Sequence, residues 1–566
     1  MAGRDYKKLV EDKKSEWGAL HSRMDADRQL VELSKYVLKD VNDKTVPNTL
    51  SVTLNDPAVF AANVESSLGA ASEQVVVESD NKNLDTAYIE DVVRASFASA
   101  NSRLVKKGRF PLNPFFNQQM CRRGRGAARC LFRIDKRTGH LIADIVPWDT
   151  RYVYYSMGAD GLDWAAYETT RSKDIILAEY PKADVKDESA IVLDIWDKEH
   201  NEVWIGEDKI NDQKNPYGYP PVVIQLVPMG SMLADKESLA YQGESIFFLI
   251  RDLVPELNRL VSIIQSLNMK ALDNALLWKS KEGTEATPPE HKDLTTPGSV
   301  TATDIGGGVE PVNYGELKSS AYLLHSIIET RIQRGSLSSI DLGTLQFQLS
   351  AVALIELSEG RDQVFLPRLA ARGLLNQQLA EMVIDQIQQS GATSVEIGSR
   401  GHTKTFDVRK LQGEYGIDFK YFVKSPKIDV ARFSMAAAAG NLISDKTKRR
   451  DILQQEDPES EELQLRWEEA ERLSPAIKMN RTIISLFEMA KRGDKHAEFE
   501  AELLSAEMNA NLKQMLAGGI QQQPKPEEAE KPKPLVPLFG GGAGKPTSAR
   551  RAAGLKATPR AEEGEE

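Results

Sequence analysis

Cysteine is nearly absent: Cys121 and Cys130 are the only two in 566 residues. That usage excludes a disulfide framework and fits a reducing compartment. Long apolar runs are missing too. The most apolar stretch, Ile246 to Ile250, is far short of a membrane span. The opening residues "MAGRDYKKLVEDKK" carry no apolar signal-peptide core. Excess positive charge is also lacking, because 72 Lys and Arg face 83 Asp and Glu, for a net charge of −11. This balance argues against a surface built to hold DNA tightly, though not against one that lets DNA slide. A cytoplasmic, soluble protein without a membrane partner is the expectation.

Recognisable chemistry is scarce as well. "FGGGAGKPTS" at 539–548 resembles a phosphate loop, but only three residues separate Gly540 from Gly544, and Pro546 follows Lys545. "DIGGGVEP" at 304–311 has no following helix to aim amides at a phosphate and reads as a turn. "CRRGRGAARC" sets four arginines between the cysteines. Zinc needs four ligands, and His140 would supply only a third. The stretch reads as an Arg-rich turn that is solvated or that touches phosphate or an acidic neighbour. His21, His140, His200, His291, His325, His402 and His496 are scattered and suggest neither a triad nor a metal box. No catalytic residue, metal ligand or cofactor is expected.

What is present is periodicity. Residues 4–40 read as one polar helix with Leu9, Trp17, Leu20, Leu30, Leu33 and Val37 as its apolar positions, and 85–108 as another. From about Arg129 to residue 228 the period shortens. "CLFRID", "HLIADIV", "RYVYY", "AIVLDIW", "EVWIGE" and "PPVVIQLV" are strand signals. "IDFKYFV" at 417–423 alternates likewise and is expected to rejoin that β unit.

Between these parts lies a helical excursion. Leu253, Leu257, Leu260, Ile264, Leu267, Ala271, Ala275 and Trp278 form one stripe, and Leu317, Ala321, Leu324, Ile328 and Ile332 a second. Pro255 should end or kink any helix arriving from Ser245. A Pro/Gly/Thr-rich insertion of roughly forty residues separates the stripes. The expected form is a helical hairpin with a compact cap, whose stripes need partners that head-to-tail copies of the chain would supply. A helix with Pro367 inside it follows to Gln389. Residues 428–517 are helical, with Ser444 and Ser474–Pro475 as punctuation, and 518–566 are too rich in Pro, Gly, Lys and Glu to bury a core.

The segment "IQRGSLSSIDLGTLQFQLSAVAL" interrupts two helices with small neutral groups. It is either an ordinary inter-helix loop or one that meets a polyanion without gripping it. Ser336, Ser338, Ser339, Asp341, Thr344, Gln346 and Gln348 are its candidate contact residues, with Gly335 and Gly343 lending freedom.

The order of parts resembles the portal, or head–tail connector, protein of tailed bacteriophages. "TGHLIADIVPWDTRYVYY" with "NPYGYPPVVIQLVP" resembles the portal wing, and "GESIFFLIRDLVPELNRLVSIIQSLNMKAL" the approach to the first stem helix. "TTPGSV" resembles the clip. "IETRIQRGSLSSIDLGTLQFQLSAVAL" resembles the second stem helix, tunnel loop and start of the long kinked helix. The likeness spans about 90–515. It implies an α+β, multi-domain portal fold with a mixed α/β wing, helical-hairpin stem, small clip and all-helical crown. The wing is 1–242 with 349–425, which carries the long kinked helix and the return to the wing. The first stem helix is 243–278, the clip 279–316, the second stem helix 317–334, the tunnel loop 335–348, the crown 426–517 and the disordered tail 518–566. Stem packing falls to Leu253, Leu257, Leu260, Ile264, Leu267, Leu324 and Ile328.

The resemblance further implies a homo-oligomeric ring of about twelve chains at one capsid vertex, assembled in the host cytoplasm and carried in the virion. Double-stranded DNA would pass through it on packaging and ejection. Its partners would be terminase, head-completion or adaptor and tail proteins, and major capsid or scaffold protein. The rival readings are a ring or scaffold without a DNA channel, and a nucleotide-hydrolysing enzyme.

Overall fold

The computed structural model describes residues 4–81, 84–134, 141–272, 276–279, 308–311, 319–336, 351–399, 402–422, 426–453, 455, 458–491 and 495–516. The fold is α+β, as expected from the sequence, and divides into two units, Met1–Gln464 and Leu465–Glu566.

The polar N-terminal helix is two helices, α1 (Tyr6–Glu16) and α2 (Gly18–Val31). Asp5 caps the first by accepting from the Lys8 amide at 3.2 Å. The break falls where the Trp17 ring turns into an aromatic cluster, edge-on to Tyr155 at 5.0 Å and to His21 at 6.4 Å. Gly18, the poorest helix former after proline, follows at once. After α3 (Asp56–Gly69), β1 (Ser72–Glu78), α4 (Thr86–Lys106) and α5 (Leu112–Arg122) comes the β-rich stretch.

That stretch holds two antiparallel sheets. The smaller has the order β3-β2-β9, from Leu141–Trp148, Arg125–Ile134 and Val222–Leu226. The larger is a meander of β4 (Val153–Gly158), β5 (Gly161–Ser172), β6 (Ser189–Asp197), β7 (His200–Ile205) and β8 (Asp208–Lys214), with a short helix, α6 (Lys173–Glu179), between β5 and β6. Along β6, Leu193 and Ile195 bury one face of the meander against α1, while on the other face Trp196 packs on the smaller sheet and Val192 packs with Ile176 of α6.

Two helices leave and return: α7 (Leu253–Leu272) and α8 (Ser319–Gly335), with the strand pair β10 (Leu276–Lys279) and β11 (Gly308–Pro311) between them. Next is α9 (Ala351–Gln389), which runs through Pro367. Its C-terminal half is the spine of the main core. Ala371, Leu375, Leu379, Val383 and Ile387 are buried against α4, α5, β2 and a hairpin of β12 (Ser394–Ser399) and β13 (His402–Asp407). Gly373 lets the helix press on the Phe419 carbonyl, which an added Cβ would meet at 3.0 Å.

The alternating segment near residue 420 forms β14 (Gly416–Phe422), but it does not join the 129–228 unit. It pairs antiparallel with β1, Ser72 opposite Phe422 and Glu78 opposite Gly416. Both faces of that pair are covered, which is why β1 reads as the compact apolar run "VVV" rather than as an alternation.

Helices α10 (Pro426–Ala439) and α11 (Pro458–Leu473) follow, with a three-residue helix between them that Ser444 caps at the Thr447 amide. In the second unit α12 (Pro475–Lys491) starts on Pro475, immediately after Ser474, and packs along α13 (Lys495–Leu516). Proline at the first helical position forfeits no hydrogen bond. Among the described residues no helix is long and apolar enough to cross a membrane.

Candidate functional site

The distinctive feature is the α7/α8 hairpin and its attachment. The first stem helix begins at Leu253 rather than at 243, because residues 244–252 form a turn that buries Ile246, Phe247 and Ile250, and Pro255 sits within the first helical turn, where its missing N–H is harmless. It ends at Leu272 rather than at 278, and Trp278, expected on its stripe, lies in β10 opposite Val309. Val254 and Leu257 of α7 and Ile328 and Ile332 of α8 are buried in one cluster with Phe60, Val64, Ile246, Phe247, Ile250 and Phe365. Each such side chain contributes about 1.5–3 kcal/mol. Leu253 and Leu260 are half-buried against that cluster, and Ile264 and Leu267 are half-buried farther along α7. Leu324 is exposed, and so are Tyr322, Leu323 and Ile327. The stripes therefore meet each other at the base of the hairpin, while farther out Tyr322, Leu323, Leu324 and Ile327 of α8 are exposed and Ile264 and Leu267 of α7 half-buried. Leu323, Leu324 and Ile327 share one flank of α8 with the exposed Arg331 and Arg334.

A second face of α7 is polar and buried. Asn258, Ser262 and Ser266, four residues apart, receive an extended segment. The amides of Leu54, Val52 and Leu50 donate to Asn258 Oδ1 at 3.0 Å, Ser262 Oγ at 2.8 Å and Ser266 Oγ at 2.9 Å. Two residues of extended chain rise about 6.6–6.8 Å and four of helix about 6.0 Å, so alternate amides match every fourth side chain. A stripe search keyed to apolar residues passes over this face.

The hairpin is tied down by a knot of charge at its base. Arg251 binds Asp27 of α2 and reaches Glu244 at 2.7 Å. Arg23 lies 3.3 Å from Glu244 and donates to the carbonyls of Ala240 at 2.7 Å and Gly243 at 2.9 Å. Asp27 and Glu244 are fully buried. Burial opposes the charge on Arg251, but its hydrogen bonds to Asp27 and Glu244 outweigh that and raise its pKa. Two chain segments cross here. Gly124 has φ +71°, and a Cβ on it would lie 2.0 Å from the Gly243 carbonyl oxygen, so no other residue fits.

The Arg-rich turn belongs to this knot. Arg122 makes a two-point contact with Glu65 at 2.7 and 3.0 Å, Arg123 donates to the Met24 carbonyl at 2.7 Å, Arg125 to the Gln242 carbonyl at 3.0 Å, and Arg129 to Asp194 at 2.9 Å. Its partners are internal carboxylates and carbonyls. Both cysteines are fully buried, which pushes the Cys121 thiol to about 12 and raises that of Cys130. Neither is a thiolate near neutrality. Among the described residues no group of three or more His, Cys, Asp or Glu could hold a metal ion.

No protein-family profile matches the sequence, and no curated protein matches it. Among solved structures, a chain from "Neck of empty GTA particle computed with C6 symmetry" is 12% identical, with 70% of this chain and 89% of that chain covered and a TM-score of 0.36. A chain from "Neck of native GTA particle computed with C12 symmetry" is 12% identical, with 64% and 88% covered and a TM-score of 0.30.

Of the candidate loop, Ser338, Ser339, Asp341, Thr344, Gln346 and Gln348 lie outside the described residues, as do Gly343, the clip insertion 280–307 and the tail 518–566. Two members are visible. Ser336 closes α8, its hydroxyl donating to the Ile332 carbonyl at 2.7 Å. Gly335 is a close-approach glycine rather than a source of freedom, because an added Cβ would lie 2.8 Å from Ile250 Cγ2 and 3.1 Å from Leu249 Cβ. It clamps the end of α8 to the turn that precedes α7.

Proposed function

We propose that the chain is a portal-type head–tail connector. Copies would assemble head to tail into a closed ring of about twelve at one capsid vertex, and double-stranded DNA would pass through the ring on packaging and ejection. The observation that carries this reading is the hairpin. Its base is locked into the core by apolar burial and a buried ion network, while its outer half leaves Tyr322, Leu323, Leu324 and Ile327 exposed. A hairpin anchored at its base with an exposed apolar flank is the expected anatomy of a subunit whose neighbour completes it. The acidic net charge of −11 supports a DNA path of low friction.

In this reading the loop after α8 lines the channel with neutral groups. A separate terminase supplies the work from the 279–316 end, adaptor and tail proteins take its place there, and capsid or scaffold protein meets the wing. The chain itself turns over no nucleotide. Assembly takes place in the host cytoplasm, and the ring ends in the virion.

Mass photometry and negative-stain imaging of the purified full chain test the reading. Closed rings with a central opening are the expected result. Monomers or dimers alone, across a wide range of concentration and salt, would overturn it. Rings with no effect on DNA packaging in a reconstituted head would favour a scaffold without a channel role.

A further inference from the structure

Three non-glycine residues among those described have positive φ, and all lie in one segment: Leu33 at 51°, Asp43 at 62° and Asn48 at 54°. Residues 33–54 form an arm between α2 and α3. The arm has its own turn. The Asp40 side chain accepts from the Asn42 and Lys44 amides at 2.8 and 2.9 Å, and the Val46 amide donates to the Leu38 carbonyl. Across the arm, Ser51 Oγ and Thr53 Oγ1 accept from the amides of Leu38 and Tyr36 at 3.0 and 2.8 Å. Leu38 is the arm's one fully buried residue, while Leu33, Val37, Val41 and Leu50 are exposed, Val41 by 95%.

Its hold on α7 consists of the three polar rungs at Asn258, Ser262 and Ser266 and, at one end, half-buried Leu54 packed on the cluster that holds Val254 and Leu257. Those rungs can open without leaving an orphan. Each serine hydroxyl donates within its own helix, Ser262 to the Asn258 carbonyl and Ser266 to the Ser262 carbonyl, both at 2.7 Å, with the arm carbonyls of Val52 and Leu50 farther off at 3.5 and 3.2 Å. On opening, the three side-chain acceptor positions, three arm amides and the carbonyls of Leu50 and Val52 pass to water, and all are readily hydrated, while the hydroxyls keep their partners in α7. The zipper also limits itself. Each four-residue step turns the helix about 40° past a full circle, and the next positions in the series are Val254 and Lys270.

We propose that residues 33–54 are a releasable strap: docked, it braces the first stem helix against the N-terminal helices, and lifted, it frees that helix to tilt about the Arg251 knot. Leu33 is its hinge, a left-handed residue with no local side-chain hydrogen bond to offset the strain. The strap moves as one piece because its internal turn does not depend on α7.

Hydrogen–deuterium exchange of the full-length protein reads this directly. Peptides covering 49–54 should exchange well before those covering 371–387 of α9. Replacing Ser262→Ala and Ser266→Ala together removes two rungs and should speed 49–54 by about tenfold or more, with 371–387 unchanged. Leu33→Gly relieves the hinge and should slow 49–54 several-fold, an arm that decides the matter if the double variant fails to fold. Exchange of 49–54 as slow as the core, no response to the serine replacements, or equal acceleration of both regions would overturn the proposal.

Discussion

Arg251 grips Asp27 at two points, Nε to Oδ1 at 2.6 Å and Nη2 to Oδ2 at 3.0 Å. Two distant segments of the chain meet there, one from the N-terminal helices and one from the turn that launches the stem. Asp27→Ala strands buried positive charge beside Arg23 and should destabilise the protein by about 3–5 kcal/mol. Thermal unfolding of the purified chain measures it. The double replacement Asp27→Leu with Arg251→Met should lose markedly less, because it leaves no uncompensated charge.

Leu323→Glu with Ile327→Glu separates assembly from folding. Both side chains are exposed in the single chain, so the monomer's unfolding temperature should hardly move. Ring formation should fall sharply, since charge would sit in an apolar contact between copies. Native mass spectrometry of variant and wild type checks it. Unchanged rings would show that this flank faces solvent or a different partner.

His21 gives a pH signature. Burial, and after it the positive Arg151 nearby, pushes its pKa down to about 4 from an ordinary value near 6.5. The folded state therefore holds it neutral. Its contribution is complete above pH 6.5 and is lost as pH falls toward 4, by about 3 kcal/mol in all. His21→Phe keeps a ring against Trp17 and Tyr154. Plotted from pH 7 to 4, its melting temperature should fall less than that of wild type.

Ser338→Lys with Ser339→Lys tests the loop in assembled rings. Added cations at a DNA-facing position should strengthen duplex binding at low salt and steepen its salt dependence. Fluorescence anisotropy across a salt series measures both. A slope equal to that of wild type would place the loop away from DNA.

The sequence carried much of this organisation in its periods. The β-rich stretch, the second stripe helix, the helix through Pro367 and the Ser474–Pro475 break lie where local pattern places them, while the first stripe helix stops at Leu272 and its expected last member, Trp278, is in β10. What the pattern could not show was partnership. The alternation at 417–423 reveals a strand, but nothing local tells that its neighbour is β1 rather than the nearer sheets. Asn258, Ser262 and Ser266 have helical spacing, yet polar residues at that spacing ordinarily mark a solvated face. Only the approach of residues 50–54 makes them a contact. Gly335 looked like a hinge, and the packed Leu249–Ile250 turn makes it a clamp instead. β5 was hidden because "GLDWAAYETTRS" mixes small and polar residues where a half-covered central strand accepts them.

The β1–β14 ladder also sets an order of events. Tyr421 reaches the Glu73 carboxylate across 348 positions of chain. At about 5–20 residues per second, a ribosome needs on the order of tens of seconds between emitting one strand and the other. During that interval β1 is an apolar edge without its neighbour, open to pairing with other chains. The stem, with its uncovered flank, emerges inside the same interval. Newly made chains are thus most prone to aggregate before Phe422 is synthesised, and a chaperone that shields residues 72–78 would do most for yield.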